Sequence, residues 1–273
     1  MEKYSVLMAV WRKDQPEYLR QSIRSMMEQT IRPDEMIIVE DGPLSRPLYE
    51  VLKECRQTYD SVTIKMIRLK KNKGLGQALN TGLRHCSNEL VARMDADDIA
   101  LPVRCEKQLA CFARNHNLAV AGTQICEFVN NPGEFIPSRI VPVSQEEILK
   151  FARRRSPFNH PTVMYKKSKV LACGGYGTAK RKEDLELFLT MLYRGYETEN
   201  TKEALLFYRA DADNLKRRKE WKNCWEYIRI IYKFYQLGFS SFWDFIYVLC
   251  GQTAMHFLPQ KLTHALNRKF LRK

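Results

Sequence analysis

The first half of the chain alternates short β-rich apolar runs with longer stretches whose apolar positions recur every three to four residues. Runs of the first kind are typical of strands, and the longer stretches are typical of helices that bury one face. Their alternation predicts βαβ units that stack into a mainly parallel α/β sheet flanked by helices. Five runs predict strands, namely Tyr4–Val10, Met36–Glu40, Thr63–Leu69, Leu90–Met94 and Leu118–Thr123.

A helix is predicted between the first two strands, where Asp14 stands three residues before Glu17 and Pro16 lies in the first turn. This spacing indicates a capping box, in which two side chains satisfy free backbone N–H groups at the helix start. One face of the helix carries the apolar side chains that we expect in the core, Leu19, Ile23, Met26 and Met27.

The C-terminal part, from Lys216 to Phe257, has a helical, aromatic and basic pattern. An amphipathic helix of this composition can lie in the headgroup layer of a bilayer, and the alternative is a helix packed on the rest of the protein. The most apolar window, Gly238 to Leu258, includes Asp244, so no membrane-spanning helix is predicted. The residues that recur at about helical spacing are Trp221, Trp225, Ile228, Tyr232 and Tyr235.

Composition adds a size and a charge to this picture. With 273 residues, 45% of them hydrophobic, the chain can bury one substantial core beside an appendage. The net charge is +14, and residues 202–273 contribute +8 of it (14 Lys/Arg less 6 Asp/Glu), which attracts nucleotides, phosphates or acidic lipids. Eight cysteines without a Cys-x-x-Cys pair favour a reducing compartment. The first ten residues lack the pattern of a secretory signal, so we expect a cytoplasmic protein.

Acidic residues follow two of the predicted strands directly. One strand ends in Asp41-Gly42, and another ends in Asp95-Ala96-Asp97-Asp98. In open α/β sheets, ligands bind beyond the carboxyl ends of the strands. Clustered carboxylates repel one another unless a cation is present, and Mg²⁺ or Mn²⁺ would also hold a nucleotide diphosphate. The alternative is that Asp97 or Asp98 caps the helix that begins near Pro102.

The ordered set of motifs resembles the family 2 inverting glycosyltransferases of the GT-A fold. It looks closest to the branch that builds capsular polysaccharide, exopolysaccharide or lipopolysaccharide. The resemblance covers about residues 4–210 and lies in Ser5–Trp11, Ser25, Gln29, Asp34–Gly42, Asn72–Gly74, Ala78, Asn80, Asp95–Asp98, Phe158–Val163 and Glu183–Asp184.

This resemblance implies a domain organisation. Residues 1–212 would form a GT-A (Rossmann-like) catalytic domain, with a nucleotide-binding half over 1–98 and an acceptor half over 99–212. Residues 213–273 would form an amphipathic helical extension that associates with the membrane.

The resemblance also implies a donor site. Val10 and Trp11 would line the base pocket, and Asp41 would accept a hydrogen bond from the pyrimidine ring, which selects uracil. The alternative for Asp41 is a turn residue before a glycine. Lys73 and Gly74 would let an ammonium group and the backbone approach the donor.

The implied metal site follows the fourth predicted strand. Asp97 would be the direct ligand of Mn²⁺ or Mg²⁺, and Asp95 would hold the ribose or support the metal. Ala96 lies between them in the same donor-binding turn.

On the acceptor side, Asp184 would be the general base, with Glu183 beside it. Acids are common at a helix start without catalysing anything, so position alone leaves this role open. His160 could contact the acceptor or the diphosphate, or be a structural histidine. Arg209 could contact phosphate, or lie on the surface without a role.

The implied reaction is the inverting transfer of a hexose or N-acetylhexosamine from a nucleoside-diphosphate sugar, with UDP expected, to a polyprenyl-diphosphate-linked saccharide. It would take place at the inner face of the cell membrane. A sugar nucleotidyltransferase is a rival, but it should carry a glycine-rich loop after the first strand, where Trp11–Asp14 has no glycine. A basic nucleic-acid-binding protein is a second rival, but it has no need of the clustered acids, so we expect no nucleic acid partner.

Overall fold

An eight-stranded mixed sheet lies at the centre of the computed structural model, which describes residues 2–129, 140–177, 179, 182–210 and 220–257. The spatial order of the strands is β3-β2-β1-β4-β7-β6-β8-β5. The strands are β1 (Tyr4–Val10), β2 (Glu35–Glu40), β3 (Thr63–Arg68), β4 (Leu90–Met94), β5 (Ile99–Ala100), β6 (Leu118–Phe128), β7 (Met164–Lys166) and β8 (Glu197–Arg209).

Nine α-helices connect or cover the strands within these described residues. They are α1 (Pro16–Met27), α2 (Arg46–Thr58), α3 (Leu75–His85), α4 (Arg104–Arg114), α5 (Gln145–Ala152), α6 (Lys167–Ala172), α7 (Glu183–Tyr193), α8 (Trp221–Gln236) and α9 (Phe242–Phe257).

The sheet has a parallel half and a mixed half. Strands β1 to β4 pair in parallel, and β7 then pairs antiparallel with both β4 and β6. All five predicted strands are present, which confirms the mainly parallel α/β sheet. The parallel half brings the carboxyl ends of β1, β2 and β4 to one edge of the sheet, as expected for a nucleotide-binding fold.

Alternating residues of the strands divide the core into two layers. Met8 faces a layer that contains Leu19, Ile23, Met26 and Met27 of α1, while its neighbour Leu7 faces the layer of α3 and α7. The period of two in an extended strand causes this division. The four apolar positions of α1 are buried, as predicted.

The capping box predicted for α1 is wrong. The residue before the helix is Gln15, and it makes no side-chain cap. Asp14 lies one position too early to cap the helix, and its carboxylate instead accepts a hydrogen bond from Trp11 N at 2.8 Å. Pro16 does occupy the first turn, where its missing N–H costs nothing.

The two C-terminal helices form a hairpin that packs on the sheet domain. Ile230, Ile231 and Phe234 of α8 lie in the same core layer as α7. Two ion pairs add to this contact, Lys233 with Glu186 at 2.8 Å and Arg154 with Asp244 at 2.5 Å. The described helices include none that combines the length and the apolar character needed to cross a membrane.

Much of the positive charge of the C-terminal part stands in three clusters, at residues 216–219, 268–269 and 272–273, which lie outside the described residues. Helix α8 covers the predicted Trp221–Tyr235 stretch. The inner face of α8 is therefore buried in the core, and only its outer face can contact a partner.

Candidate functional site

The acidic loop after β4 forms a cluster of carboxylates. Oxygen atoms of Asp95, Asp97 and Asp98 all lie within 4.8 Å of one another, in the only group of this kind among the described residues. Asp97 is exposed, whereas Asp98 is fully buried and accepts a hydrogen bond from Arg209 N at 2.9 Å. The cluster therefore offers Asp95 and Asp97 to a ligand and uses Asp98 inside the protein.

The alternative role of Asp97 or Asp98 as a helix cap is wrong. Helix α4 begins at Arg104 after Val103, and no side chain caps it. The turn between Asp98 and α4 contains the short strand β5, which pairs with β8. The acids are thus separated from the helix start by an element that the sequence pattern does not reveal.

A buried arginine supports this loop from inside the sheet. Arg93 is 1% exposed, and its Nη2 donates to Asp95 Oδ1 at 2.5 Å. Its Nε and Nη1 have no hydrogen-bond partner. The carboxylate of Asp95 raises the pKa of Arg93 against the opposing effect of burial, so the side chain stays charged. Sequence reasoning missed this residue, although an arginine in an otherwise apolar strand is a signal that could have found it.

The charges of the loop act on one another. Enclosure by the surrounding protein, and then the charge of Asp95, raise the pKa of Asp97 to about 6. Burial, and then the charge of Asp97, raise the pKa of Asp98 well above its usual range. Burial raises the pKa of Asp14 to about 7, with contributions from Asp97 and Asp95. Asp14 is therefore a further acid beside the cluster, which the sequence pattern assigned to a helix cap.

The hard oxygen ligands of Asp95 and Asp97 fit a divalent cation. One oxygen of Asp95 is taken by Arg93, which leaves the other free, and Asp97 reaches solvent. A Mg²⁺ or Mn²⁺ ion commonly takes one or two protein carboxylates and completes its shell with phosphate oxygens and water. The donor set of this loop matches that requirement.

A second acid organises the loop that begins α3. The carboxylate of Asp41 accepts hydrogen bonds from Lys73 N at 2.7 Å, Gly74 N at 3.0 Å and the Asn72 side chain at 2.9 Å. A carboxylate has about four acceptor positions, so about one remains for a ligand. Asp41 is thus more than the turn residue of the alternative interpretation, because it ties the end of β2 to the predicted donor loop.

Close backbone packing holds these two loops together. A Cβ on Gly42 would lie 2.7 Å from Asn72 N, and Gly42 has a φ of +87°. Both features require glycine at this position. Val10 is buried at the end of β1, its carbonyl accepts a hydrogen bond from Asp41 N at 2.8 Å, and Trp11 beyond it is 38% exposed.

The remaining residues predicted for the donor site, Ala96 and Lys73, lie in the same two loops. Ala96 is buried between the two candidate metal ligands, and Lys73 is exposed. Ser22 of α1 donates to the carbonyl of Asp95 at 2.6 Å, so α1 also positions the acidic loop.

The two acids at the start of α7 have different surroundings. Glu183 is 5% exposed, and burial followed by the charge of Asp184 raises its pKa to about 7. One of its oxygens has no hydrogen-bond partner. Asp184 is half-buried and is the more accessible of the two. Gly76 of α3 allows the approach of Glu183, because a Cβ there would lie 3.1 Å from that side chain.

Arg93 connects the two acidic groups electrostatically. Its charge offsets part of the increase in the pKa values of Glu183, Asp97 and Asp98. The start of α7 and the loop after β4 therefore share one buried cation, which places both near the same part of the protein.

A glycine-containing turn before α7 is fixed by Asn80 of α3. The Asn80 side chain accepts from Tyr176 N and donates to Tyr176 O, each at 2.8 Å. A Cβ on Gly175 would lie 2.3 Å from the Asn80 oxygen. Asn80, a residue of the resembled motif, thus positions the chain just before the two acids.

His160 is a partly enclosed residue with a defined partner. Its Nε2 lies 3.1 Å from the Tyr176 hydroxyl oxygen. Burial, and then the charge of Arg93, lower the pKa of His160 well below its usual range. The imidazole is therefore neutral at physiological pH.

The surface position considered for Arg209 is wrong. The residue is 8% exposed, and its guanidinium stacks on the rings of Tyr18 at 3.7 Å and Phe128 at 4.5 Å. It donates to the Asp97 carbonyl at 2.9 Å and to the Gln21 side chain at 3.0 Å. The Arg209 side chain thus holds the acidic loop by the backbone carbonyl of Asp97. The two residues are more than a hundred positions apart in sequence.

A nucleotide-binding sheet with a carboxylate cluster at the carboxyl ends of its strands is the architecture of a GT-A glycosyltransferase. The chain belongs to glycosyl transferase family 2, whose family model matches residues 5–185. The enzyme is therefore a glycosyltransferase, as the sequence motifs predict, and the two rival classes are excluded.

Relatives and solved structures agree with this assignment. The chain is 36% identical over 271 residues to the UDP-Gal:alpha-D-GlcNAc-diphosphoundecaprenol beta-1,3-galactosyltransferase of Escherichia coli, covering 99% of this chain and 97% of the relative. It is 36% identical over 234 residues to the amylovoran biosynthesis glycosyltransferase AmsE of Erwinia amylovora, covering 86% and 85%. The mannosyltransferase PcManGT from Pyrobaculum calidifontis, solved with GDP-Man and Mn²⁺, shares the fold with a TM-score of 0.67 and 14% identity, covering 98% of this chain and 75% of that one.

Proposed function

We propose that this glycosyltransferase moves a hexose or an N-acetylhexosamine, with inversion, from UDP to a saccharide on a polyprenyl diphosphate. The observation that carries the proposal is the pair of available carboxylates, Asp95 and Asp97, beside a loop that Asp41 holds in place. The Escherichia coli relative, which covers nearly the whole chain, is named for a UDP-sugar donor and a diphosphoundecaprenol acceptor.

The donor nucleotide would bind at the edge formed by β1, β2 and the start of α3. Val10 and Trp11 would line the base pocket, and the free acceptor position of Asp41 would receive the uracil ring N–H. The side chain of Lys73 and the backbone at Gly74 would approach the diphosphate, since basic groups and helix starts both attract anions.

The metal would be held by Asp97, with Asp95 assisting and Ala96 between them. A bound Mn²⁺ or Mg²⁺ would stabilise the negative charge of the departing diphosphate. Asp98 has a different task, because its bond to Arg209 N fixes the loop.

The general base would be Asp184. An inverting transfer needs one carboxylate that takes the proton of the attacking hydroxyl. Glu183 is buried and has a raised pKa, so it keeps its proton to a higher pH than an ordinary carboxyl group. It therefore suits a positioning role beside the more accessible Asp184. The direct attack of the acceptor oxygen on the anomeric carbon inverts the configuration there.

The acceptor would enter on the side of His160. In a neutral imidazole whose Nε2 is bonded to the Tyr176 hydroxyl, the other ring nitrogen can donate to or accept from a sugar hydroxyl, according to the tautomer. Arg209 would contribute less directly than the sequence suggests, because its guanidinium already holds the Asp97 carbonyl.

The protein would work in the cytoplasm at the inner face of the cell membrane, where a polyprenyl lipid carries the acceptor. The C-terminal helices at residues 221–257 would supply the contact with that surface. Their aromatic and basic outer face suits a headgroup layer.

The test is a binding and transfer assay with purified protein. Nucleotide sugars are screened with Mn²⁺ for an increase in melting temperature, because a ligand that binds only the folded state raises it. We expect stabilisation by UDP-sugars with Mn²⁺ and little without the metal. We further expect sugar transfer to a synthetic lipid-diphosphate saccharide, with loss of transfer but retention of UDP binding in Asp184→Asn. Full transfer in excess chelator would show that the reaction needs no metal. A wild-type rate in Asp184→Asn would show that Asp184 is not the general base.

A further inference from the structure

Helix α9 exposes an apolar stripe to solvent. Only Asp244 and Val248 of its sixteen residues are buried. Six of its exposed positions recur at helical spacing on one face, and none of the six is charged. We call this face the α9 stripe: Trp243, Tyr247, Cys250, Gly251, Ala254 and Phe257. Trp243 is 73% exposed, Tyr247 63% and Phe257 75%, so the stripe presents large rings to water.

Helix α8, which packs beside α9, exposes aromatic and basic side chains. The exposed positions of α8 are aromatic or basic for most of its length: Trp221, Lys222, Trp225, Arg229, Tyr232 and Lys233. Between residues 221 and 257, no exposed position is acidic, since Glu226 is half-buried and Asp244 is buried. Lys233 pairs with Glu186 of α7, so the outer surface of the hairpin combines the exposed rings with the positive charges of Lys222 and Arg229.

We propose that the α9 stripe is the surface that enters the headgroup layer of an anionic bilayer, with the cations of α8 beside it. This inference rests on the proposed function, in which the acceptor is a membrane lipid, and it names the helix face that makes the contact. Tryptophan and tyrosine suit the boundary between lipid and water because each ring has an apolar body and a polar tip.

The charge of the following segment supports a lipid occupant. Residues 258–273 contain five Lys/Arg and no Asp/Glu, so positive charge continues along the chain beyond α9. An anionic leaflet attracts each cation near its surface by about 1 kcal/mol. A spanning arrangement is not required, because an interfacial helix lies in the plane of the membrane.

A second copy of the chain is a poorer occupant of this surface. A twofold interface places the same patch of each copy against the other. Lys222 and Arg229 would then lie near the same cations of the partner copy without an exposed acid in 221–257 to pair with. Like charges in a desolvated contact are unfavourable.

The hairpin is attached firmly enough to orient the enzyme on the membrane. Asp244 at the start of α9 pairs with Arg154 beyond α5, and the Ser240 hydroxyl donates to the Arg153 carbonyl at 2.9 Å. Lys233 of α8 pairs with Glu186 of α7, the helix that begins with the two candidate catalytic acids. Contact through the α9 stripe would therefore set the position of α7 relative to the lipid surface.

The experiment measures sedimentation of the full chain with vesicles. Vesicles of pure phosphatidylcholine are compared with vesicles of equal parts phosphatidylcholine and phosphatidylglycerol. We expect binding to the anionic vesicles, and a decrease of about tenfold or more in the W243S/Y247S variant, because each buried aromatic ring contributes on that scale. The control is Leu171→Ser, which changes an exposed apolar residue of α6 and should bind as the wild type does.

A second measurement locates the contact. Brominated lipids quench tryptophan that enters the acyl region, and the quenching should decrease in Trp243→Phe. Equal vesicle binding by wild type and W243S/Y247S, with both folded by their melting temperatures, would overturn the proposal. So would a dimer in sedimentation analysis that this double variant abolishes, because a second copy would then occupy the stripe. Neither result depends on sugar transfer, so failure here is distinguishable from failure of the proposed reaction.

Discussion

Arg93 donates a hydrogen bond from Nη2 to Oδ1 of Asp95, with the guanidinium sealed inside the protein and the carboxylate partly open to solvent. The acidic loop is thus supported by a positive charge that no solvent screens. This arrangement makes the candidate metal site depend on a residue that touches no solvent.

We expect Arg93→Met to destabilise the protein by about 1.5–3 kcal/mol, the usual scale for a hydrogen bond to a charged group, because Asp95 is left partly open to solvent. Urea unfolding monitored by circular dichroism measures this change. The matched control is Arg20→Met, which breaks the exposed pair with Glu54 and should cost less than about 1 kcal/mol. Equal changes in the free energy of unfolding would show that the Arg93–Asp95 pair stabilises the protein no more than an exposed ion pair does.

Substitution of Asp97 and of Asp98 by asparagine should have different effects on Mn²⁺ binding. Asp97→Asn removes an exposed carboxylate, and we expect Mn²⁺ affinity to fall by at least the roughly 10–100-fold that the loss of an outer-shell partner costs. Asp98→Asn keeps an oxygen that can accept from Arg209 N, so its Mn²⁺ affinity should stay within a few-fold of wild type. Electron paramagnetic resonance titration of Mn²⁺ measures both. A larger loss in Asp98→Asn would contradict this division of roles.

Glu183 should make stability dependent on pH. Its pKa is about 7 in the folded protein and about 4.5 when unfolded, mainly because of burial. The folded state therefore holds this proton over a range in which the unfolded state has lost it. The favourable contribution is complete below pH 4.5 and is lost as the pH rises to about 7. The shift corresponds to roughly 3 kcal/mol.

The substitution Glu183→Gln removes this titration. We expect its free energy of unfolding to match the wild type more closely near pH 4.5 and to exceed it near pH 8, measured by urea unfolding in chelator. Two pH profiles that run parallel from pH 4.5 to 8 would refute the assigned pKa.

The donor loop should be sensitive to a methyl group on Gly42. Gly42→Ala adds left-handed backbone strain and a Cβ that would lie 2.7 Å from Asn72 N, so the loop that carries Lys73 must move. Gly74→Ala is the matched control, because it has a φ of +88° and no heavy atom within 4 Å of the added Cβ. Each should show backbone strain of about 1–3 kcal/mol, because both have a positive φ, and Gly74, with a ψ of 158°, lies in a region nearly exclusive to glycine. Unfolding curves should place Gly42→Ala clearly below Gly74→Ala in stability, and equal curves would argue against the backbone contact.

Much of this protein could be predicted from local patterns. The five strands, the buried face of α1 and the acids after β2 and β4 all follow from periodicity and from residues adjacent in sequence, because a strand and the turn that ends it are short-range features. The family motifs then predicted the class of enzyme. The predicted capping box failed because the helix begins one residue later than the spacing indicates, which leaves the Asp14 carboxylate to accept from Trp11 N.

Only the tertiary structure decided which side of each motif faces the interior. It turned Asp98 inward and left Asp97 exposed, placed Arg93 under Asp95, and set Arg209 against the Asp97 carbonyl from the far end of β8. It also committed one face of α8 to the core and left the α9 stripe bare. Burial and charge at each position depend on groups distant in sequence, and these are brought together only when the sheet forms.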